Sequence, residues 1–220
     1  SSRLLSEYIT TLLQKENRSV WMAQREGRTK DGNDATQQGL LKMLAMASEN
    51  EPLIGFFKDL KIVPLSISYE YDPTDMLKMP QLMAQSRNEQ YVKSKNEDFN
   101  TMLSGVLGQK KRIHLHAGSV LGEELDALAS PSENKNKLLQ SIAQLIDQSI
   151  IKNYKLWPTN YIAYDLLRQT NEFENHYAAE EKRLFIRRFE MRLDASSSAV
   201  KQSFLAMYAN PVINQISLEN

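Results

Sequence analysis

The sequence contains no cysteine and only three histidines among its 220 residues. The absence of cysteine excludes a disulfide framework, a thiolate nucleophile and thiolate metal ligands. The 27 basic and 27 acidic side chains give a formal net charge of zero. This balance argues against a dedicated nucleic-acid-binding protein, because such proteins normally carry a basic excess. The chain has no apolar run near the roughly 18 residues of a membrane-spanning helix, and neither G-x-x-x-x-G-K-[ST] nor G-x-G-x-x-G occurs.

The composition is that of a folded protein, with 41% hydrophobic and 25% charged residues. Short apolar runs predict three strands, at residues 20–23, 61–71 and 111–116. Helical periodicity predicts helices before and between these strands, at 2–15, 36–46, 53–60, 75–86 and 97–107. Strands that alternate with helices are typical of an α/β fold. We therefore expect a mainly parallel sheet flanked by helices.

The second half of the chain predicts helices alone, at residues 134–153, 158–167, 175–193 and 196–208. We therefore divide the chain into an α/β portion, residues 1–128, and an all-helical C-terminal extension, residues 129–220. One stretch of the extension, K-R-L-F-I-R-R-F-E-M-R at 182–192, is a basic amphipathic helix. Both an interfacial membrane helix and an ordinary core helix with a solvated charged face fit this pattern.

A charged loop follows the first predicted strand and reads Q-R-E-G-R-T-K-D-G from Gln24 to Gly32. Backbone N–H groups between a strand and a helix commonly bind anions. Arginine adds a planar fork that suits phosphate or carboxylate. The candidate ligands are Arg25, Arg28 and Lys30, with Glu26 to orient them or to hold a substrate hydroxyl. A solvated turn whose charges pair with one another is the alternative interpretation.

A second motif, I-V-P-L-S-I-S-Y at residues 62–69, follows the charged loop by about thirty residues. Together, E-G-R-T-K and this strand resemble the phospholipid acyltransferases that acylate glycerol 3-phosphate or its 1-acyl product, most closely the bacterial branch. The third conserved sequence block of this family is similar to residues 26–30, which are Glu26, Gly27, Arg28, Thr29 and Lys30. The fourth conserved sequence block is similar to the strand that contains Val63, Pro64, Leu65 and Ile67. The strand R-I-H-L-H-A-G at 112–118 is similar to the one that closes the family's sheet, and the resemblance spans residues 1–125.

The resemblance implies an O-acyltransferase in which Arg28, together with Arg25 or Lys30, holds the acceptor phosphate. The residues from Val63 to Ile67 would form a buried strand that supports the pocket. No metal or bound cofactor is implied, since acyl-CoA, acyl carrier protein or acyl phosphate serves as a co-substrate. The implied partners are the glycerol-phosphate acceptor, the acyl donor, an acyl carrier protein and a peripheral membrane contact, without nucleic acid. The implied location is the cytoplasm, at the inner face of the cell membrane.

The family's catalytic motif, H-x-x-x-x-D, does not occur in this chain. In the family it precedes the third block, whereas this chain has only 25 residues before Glu26. We therefore expect a fragment that contains no catalytic residue and does not turn over alone. A non-catalytic scaffold, whose basic loop and C-terminal helices bind a lipid or a protein, is the alternative. An acceptor that carries a carboxylate instead of a phosphate is a third possibility.

Two further groups of residues have a chemical and a structural interpretation. His114 and His116 share one face of the third predicted strand and can bind metal, or they can simply be packed or hydrogen-bonded. Glu70, Asp72 and Asp75 follow the second predicted strand, at the end where α/β active sites gather. Asp75 alternatively caps the helix that follows it.

Overall fold

The computed structural model describes residues 2–25, 29–48, 51–128 and 134–219. The two strands in this part of the chain are β1 (Leu65–Tyr69) and β2 (Ile113–Ala117). The helices are α1 (Ser2–Gln14), α2 (Gln38–Leu44), α3 (Leu53–Asp59), α4 (Asp75–Ser86), α5 (Glu97–Leu107), α6 (Glu123–Ala127), α7 (Lys135–Asn153), α8 (Pro158–Arg168), α9 (Ala179–Leu193) and α10 (Ser198–Glu219).

The predicted fold class is wrong, because 62% of the described residues are helical and 5% are in strands, and the two strands pair antiparallel. The first predicted strand, residues 20–23, has no regular structure. The helices of the first half were predicted more successfully, and those at 75–86 and 97–107 are confirmed as α4 and α5. Local periodicity thus identified the helices but did not reveal how the strands associate.

Hydrogen bonds at both ends of the ladder define the antiparallel register. Gly118 N donates to Pro64 O at 2.9 Å, and Glu70 N donates to Arg112 O at 3.0 Å. The second pair also places opposite charges side by side, since Arg112 Nε donates to Glu70 Oε2 at 2.7 Å. A parallel arrangement would separate these two charges. This cross-strand ion pair adds to the stability of the antiparallel register.

The polar side of β1 is the buried one. Ser66 and Ser68 are 2% and 1% exposed, whereas Ile67 between them is 37% exposed. On β2, Ile113 and Leu115 are likewise exposed. Exposed and buried side chains thus alternate along β1, as is usual in a strand, but Ile67 is on the exposed side and the serines are on the buried one. A two-stranded sheet has few neighbours to cover both faces, and here the protein covers the serine face.

The chain forms two compact units, each assembled from segments that are separate in sequence. Unit 1 comprises the described residues of 1–28, 34–66 and 116–153, and unit 2 those of 29–33, 67–115 and 154–220. The division at residue 128 that we drew from the sequence stays a prediction.

Unit 1 has a core in which α7 packs with the shorter helices α1, α2, α3 and α6. Every third or fourth residue of α7 is buried, as its apolar stripe predicts. The buried apolar residues of this core are Ile9, Leu41, Leu44, Ala45, Phe56, Phe57, Leu60, Leu121, Leu125, Leu139, Ile142, Ala143, Ile146 and Ile150.

Unit 2 has a separate core between α4, α8, α9 and α10. Asn160 links the start of α8 to α10, because its Oδ1 accepts from Trp157 N at 2.7 Å and its Nδ2 donates to Tyr208 O at 2.8 Å. The buried apolar residues are Tyr71, Met79, Ile162, Ala163, Phe185, Leu193, Phe204, Leu205, Met207, Tyr208 and Ala209.

The basic helix at 182–192 belongs to this second core. Phe185 and Leu193 of α9 are completely buried, and Phe189 packs against Phe204 with ring centroids 5.8 Å apart. The interpretation of this stretch as a core helix is therefore confirmed. Among the residues that the structure describes, no helix combines the length and the apolar character needed to cross a bilayer.

Candidate functional site

The base of the charged loop is fixed within unit 1. Gln37 N donates to Gln24 O at 2.9 Å and so closes the loop. One residue earlier, Thr36 donates its N–H and its hydroxyl to Asp147 Oδ1, at 2.8 and 2.6 Å. Asp147 lies on α7, the longest helix of that unit. Three hydrogen bonds therefore hold the loop at its base.

Asp147 is an anchor that the sequence analysis did not identify. Burial raises the pKa of its carboxyl group, the two hydrogen bonds from Thr36 lower it, and the nearby charge of Asp34 raises it, with a net increase. A signal was present, since Asp147 directly follows Ile146 of the apolar stripe of α7. Nothing in the sequence, however, paired it with Thr36, from which it is 111 positions away.

The far part of the loop, residues 29–33, belongs to unit 2 and packs on α10. Asn210 Nδ2 donates to Asp31 O at 2.7 Å. Gly32 has a φ of +78°, and a Cβ atom at this position would lie 2.3 Å from Met207 O. Only glycine fits there without a shift of the backbone. The helical extension thus determines the path of residues 29–33.

Three of the five predicted acceptor-binding residues, Glu26, Gly27 and Arg28, lie outside the described residues. Arg25 is half-buried in unit 1. Its Nε is shielded from solvent and has no hydrogen-bond partner among the described residues. A buried donor without a partner is energetically costly, and an incoming anion can satisfy it.

Lys30, the fifth predicted residue, is half-buried in unit 2. The structure therefore does not bring Lys30 and Arg25 into one unit. Of the predicted pocket-supporting residues, Pro64 is buried, Leu65 is half-buried, and Val63 and Ile67 are 41% and 37% exposed. Those two side chains were expected to be buried, and that expectation is wrong.

The acidic residues after β1 form a second charged cluster, which lies in unit 2. Glu70 is 1% exposed and accepts from Arg112 Nε at 2.7 Å and Lys111 Nζ at 3.1 Å. Burial raises the pKa of this carboxyl group, but the two cations outweigh burial and hold the pKa below its ordinary value. Asp72 behaves similarly, with Lys78 as the cation that lowers its pKa. Both groups are ionised at neutral pH.

Asp75 begins α4 and is completely buried. Its carboxylate accepts from Arg188 Nη2 at 2.8 Å, from Tyr208 Oη at 3.0 Å and from Arg192. A helix cap was the alternative interpretation of Asp75. The N-cap of α4 is Thr74, and Asp75, the first residue of the helix, accepts from Met76 N at 2.8 Å. The main partners of Asp75 are the two arginines of α9. All three carboxylates of this cluster are ion-paired, so the arrangement is typical of a structural network.

The two histidines of β2 alternate with its exposed apolar residues. His114 lies opposite Ser68 in the register set by the ladder, and both histidines are half-buried. In the part of the chain that the structure describes, no group of three or more histidine or acidic side chains is placed to hold a metal ion.

Comparisons with protein-family models, with curated proteins and with solved structures found no match for this chain. The acyltransferase resemblance therefore depends on the pattern of residues in the charged loop and in β1.

Proposed function

We propose that this chain supplies the acceptor-binding part of a phospholipid O-acyltransferase. The reaction is transfer of a fatty acyl group from a thioester carrier to glycerol 3-phosphate or 1-acylglycerol 3-phosphate. The residue pattern E-G-R-T-K followed by V-P-L-S-I supports this choice. The single structural observation in its favour is Arg25 Nε, which is shielded and has no partner among the described residues.

A phosphate group is a suitable ligand for Arg25. An arginine fork donates parallel N–H bonds to two phosphate oxygens, and a shielded site strengthens each bond because water does not compete. Arg28, three positions further along the sequence, is the second residue that we propose donates hydrogen bonds to the phosphate. Glu26 positions the acceptor. The hydrogen bonds of Thr36 and Asn210 hold the described residues on the C-terminal side of the loop in place.

In the proposed reaction the acceptor hydroxyl oxygen attacks the thioester carbonyl carbon, and the thiolate of the carrier leaves. A histidine takes the hydroxyl proton in enzymes of this type, and the H-x-x-x-x-D motif that would supply it is absent here. We therefore expect acceptor binding without turnover from these 220 residues. The proposal places the protein at the cytoplasmic face of the membrane and requires no bound cofactor.

The test is calorimetric titration of the chain with glycerol 3-phosphate, and with glycerol as the ligand that lacks the phosphate. We expect binding of glycerol 3-phosphate alone. Arg25→Ala and Arg28→Ala should each weaken it by roughly 10- to 100-fold, because a hydrogen bond to a charged group contributes about 1.5–3 kcal/mol. Arg18→Ala is the control, since Arg18 lies ahead of the loop and its exposed side chain pairs with Glu16 at 3.2 Å.

Equal affinity for glycerol and glycerol 3-phosphate would contradict the acceptor site. If the chain bound an acceptor with a carboxylate and not one with a phosphate, the loop would still be the acceptor site, but the substrate would be of a different class. Acyl transfer by the chain alone would contradict the expectation that turnover requires the histidine of the H-x-x-x-x-D motif. The scaffold alternative predicts no binding of small acceptors. It is less favoured because Arg188 and Arg192 of the C-terminal helices already pair with Asp75.

A further inference from the structure

Helix α5 (Glu97–Leu107) has its apolar side turned outward. None of its residues is buried. Its large apolar side chains recur at spacings of three and four and so form one stripe along the helix. This apolar stripe of α5 consists of Phe99, Met102, Leu103, Val106 and Leu107, which are 64%, 59%, 46%, 75% and 75% exposed.

The opposite side of α5 is small and polar, and it is the half-buried side. Thr101, Ser104 and Gly105 lie there, and Thr101 Oγ1 donates to Glu97 O at 2.7 Å. Where the helix ends, a Cβ atom on Gly108 would lie 2.7 Å from Pro73 Cβ. This close approach, together with the half-buried polar residues, means that α5 packs on unit 2 by its polar side. The usual arrangement of a surface helix is the reverse.

The start of α5 is also fixed. Glu97 Oε2 accepts from Tyr91 Oη at 2.8 Å and from Ser94 N at 2.9 Å. These local bonds cap the start of the helix, and the close approach of Gly108 to Pro73 fixes its end on unit 2. The outward orientation is therefore a property of the folded unit.

The charges around α5 indicate what covers the stripe. Residues 87–112 carry six cationic and three acidic side chains, and the cations flank the helix on both sides. Arg87, Lys93 and Lys95 precede it and are exposed, and Lys110 follows it. Three of the six cations already pair with carboxylates, Lys93 with Asp98 and both Lys111 and Arg112 with Glu70, so Arg87, Lys95 and Lys110 are the cations that remain for an anionic surface. Apolar side chains on one side with flanking cations are typical of helices that lie in a bilayer surface.

The size of the stripe argues against a second copy of the chain as the occupant. Stable protein interfaces bury about 800 Å² on each partner, with 20–30 residues a side. The stripe offers five side chains on about three helical turns. It is too small for a stable dimer, whereas a helix of this length is sufficient to enter the head-group region of a membrane.

We propose that α5 is an interfacial helix, which inserts its apolar stripe into the surface of a membrane that contains anionic lipids. Arg87, Lys95 and Lys110 face the lipid phosphates. The polar side stays on unit 2, so insertion requires no unfolding. This inference does not use the charged loop, so loss of acceptor binding would leave it standing. Failure of vesicle binding would remove the membrane location from the proposed function and leave acceptor binding unchanged.

The test is co-sedimentation of the chain with vesicles of phosphatidylcholine, with and without phosphatidylglycerol. The variant Val106→Gln/Leu107→Gln removes two exposed side chains and keeps a good helix-forming residue at both positions. The matched control, Leu184→Gln/Met191→Gln, changes two exposed apolar residues of α9 in the same unit. We expect binding to the anionic vesicles, weakened by salt, and at least about a ten-fold loss in the first variant alone.

Three outcomes would overturn the proposal. One is no sedimentation with either kind of vesicle, and another is an equal loss of binding in both double variants. The third is a dimer in light scattering that Val106→Gln/Leu107→Gln converts to monomer, which would assign the stripe to a second copy. Because the substituted side chains of α5 are exposed, we expect unchanged urea unfolding of that variant, which separates lost binding from lost folding.

Discussion

The hydroxyl of Tyr208 on α10 bridges two residues that follow β1. It accepts from Asp72 N at 3.0 Å and donates to Asp75 Oδ2 at 3.0 Å. Burial raises the pKa of this phenol well above its ordinary value, and the charge of Asp75 adds to the increase. The hydroxyl therefore keeps its proton, and with it the bond to Asp75, far into the alkaline range.

The substitution Tyr208→Phe removes this bridge and leaves the aromatic packing in place. We expect a loss of about 1–3 kcal/mol in the free energy of unfolding, because a buried donor and a charged acceptor lose their partner. Urea denaturation followed by circular dichroism measures it. Tyr8→Phe is the control, as Tyr8 is 59% exposed, and it should change stability by less than about 0.5 kcal/mol. Equal effects of the two substitutions would mean that the bridge contributes nothing.

The ion pairs of Asp75 predict a larger effect. In Asp75→Asn, Arg188 and Arg192 lose their common carboxylate, and the Arg188 side chain is only 12% exposed. An uncompensated buried charge costs about 3–5 kcal/mol, so we expect a loss of that order in urea denaturation.

A matched control for Asp75→Asn lies in the same unit. Asp98 pairs with Lys93 at 2.8 Å, but its side chain is 75% exposed. Because exposed pairs contribute about 0–1 kcal/mol, Asp98→Asn should change stability far less. If Asp75→Asn were as mild as Asp98→Asn, the cluster after β1 would not be the structural network that we describe.

Local features of the structure were predictable from the sequence, and long-range ones were not. The bounds of α4 and α5 follow from apolar spacing within each helix. The same spacing does not say which way a helix face turns, and the stripe of α5 turns outward. The direction of the strands depends on partners such as Glu70 and Arg112, which are 42 positions apart.

The candidate site shows the same division. Its cations were evident in the loop, but the groups that fix the loop, Asp147 and Asn210, belong to helices more than 100 positions away. Hydrogen bonds at that separation have no local signature in a single sequence.

Gly32 is a test of how α10 holds residues 29–33. In Gly32→Ala the new methyl group would lie 2.3 Å from Met207 O, and the backbone has a positive φ of +78°. We expect a loss of about 1–3 kcal/mol, measured by urea denaturation. Gly39→Ala is the matched control, because Gly39 lies in α2 with no atom within 4 Å of the added methyl. It should gain about 0.5–1 kcal/mol. A neutral Gly32→Ala would mean that α10 does not constrain the loop.

The anchor on α7 predicts a pH dependence. Because burial raises the pKa of Asp147 in the folded protein, the folded state binds a proton more readily than the unfolded state, where the pKa is about 3.9. The contribution of Asp147 to stability is therefore greatest at low pH. It declines as pH rises from about 4 through the raised value, and then stays constant.

Asp147→Asn keeps an oxygen that accepts from Thr36 and removes the ionisation. We therefore expect wild type to lose stability relative to Asp147→Asn as pH rises through that window, with the variant the more stable at neutral pH. Urea denaturation of both proteins from about pH 3.5 to 7 measures the difference in unfolding free energy, on a scale where one pKa unit corresponds to about 1.4 kcal/mol.

Glu70 and Asp72 have lowered pKa values and lose their contributions to stability as pH falls below the ordinary range. They do so in both proteins, so their contributions cancel in the difference. A difference that is independent of pH would show that Asp147 has the same pKa in both states. A less stable variant at neutral pH would show that the charge itself strengthens the bonds from Thr36.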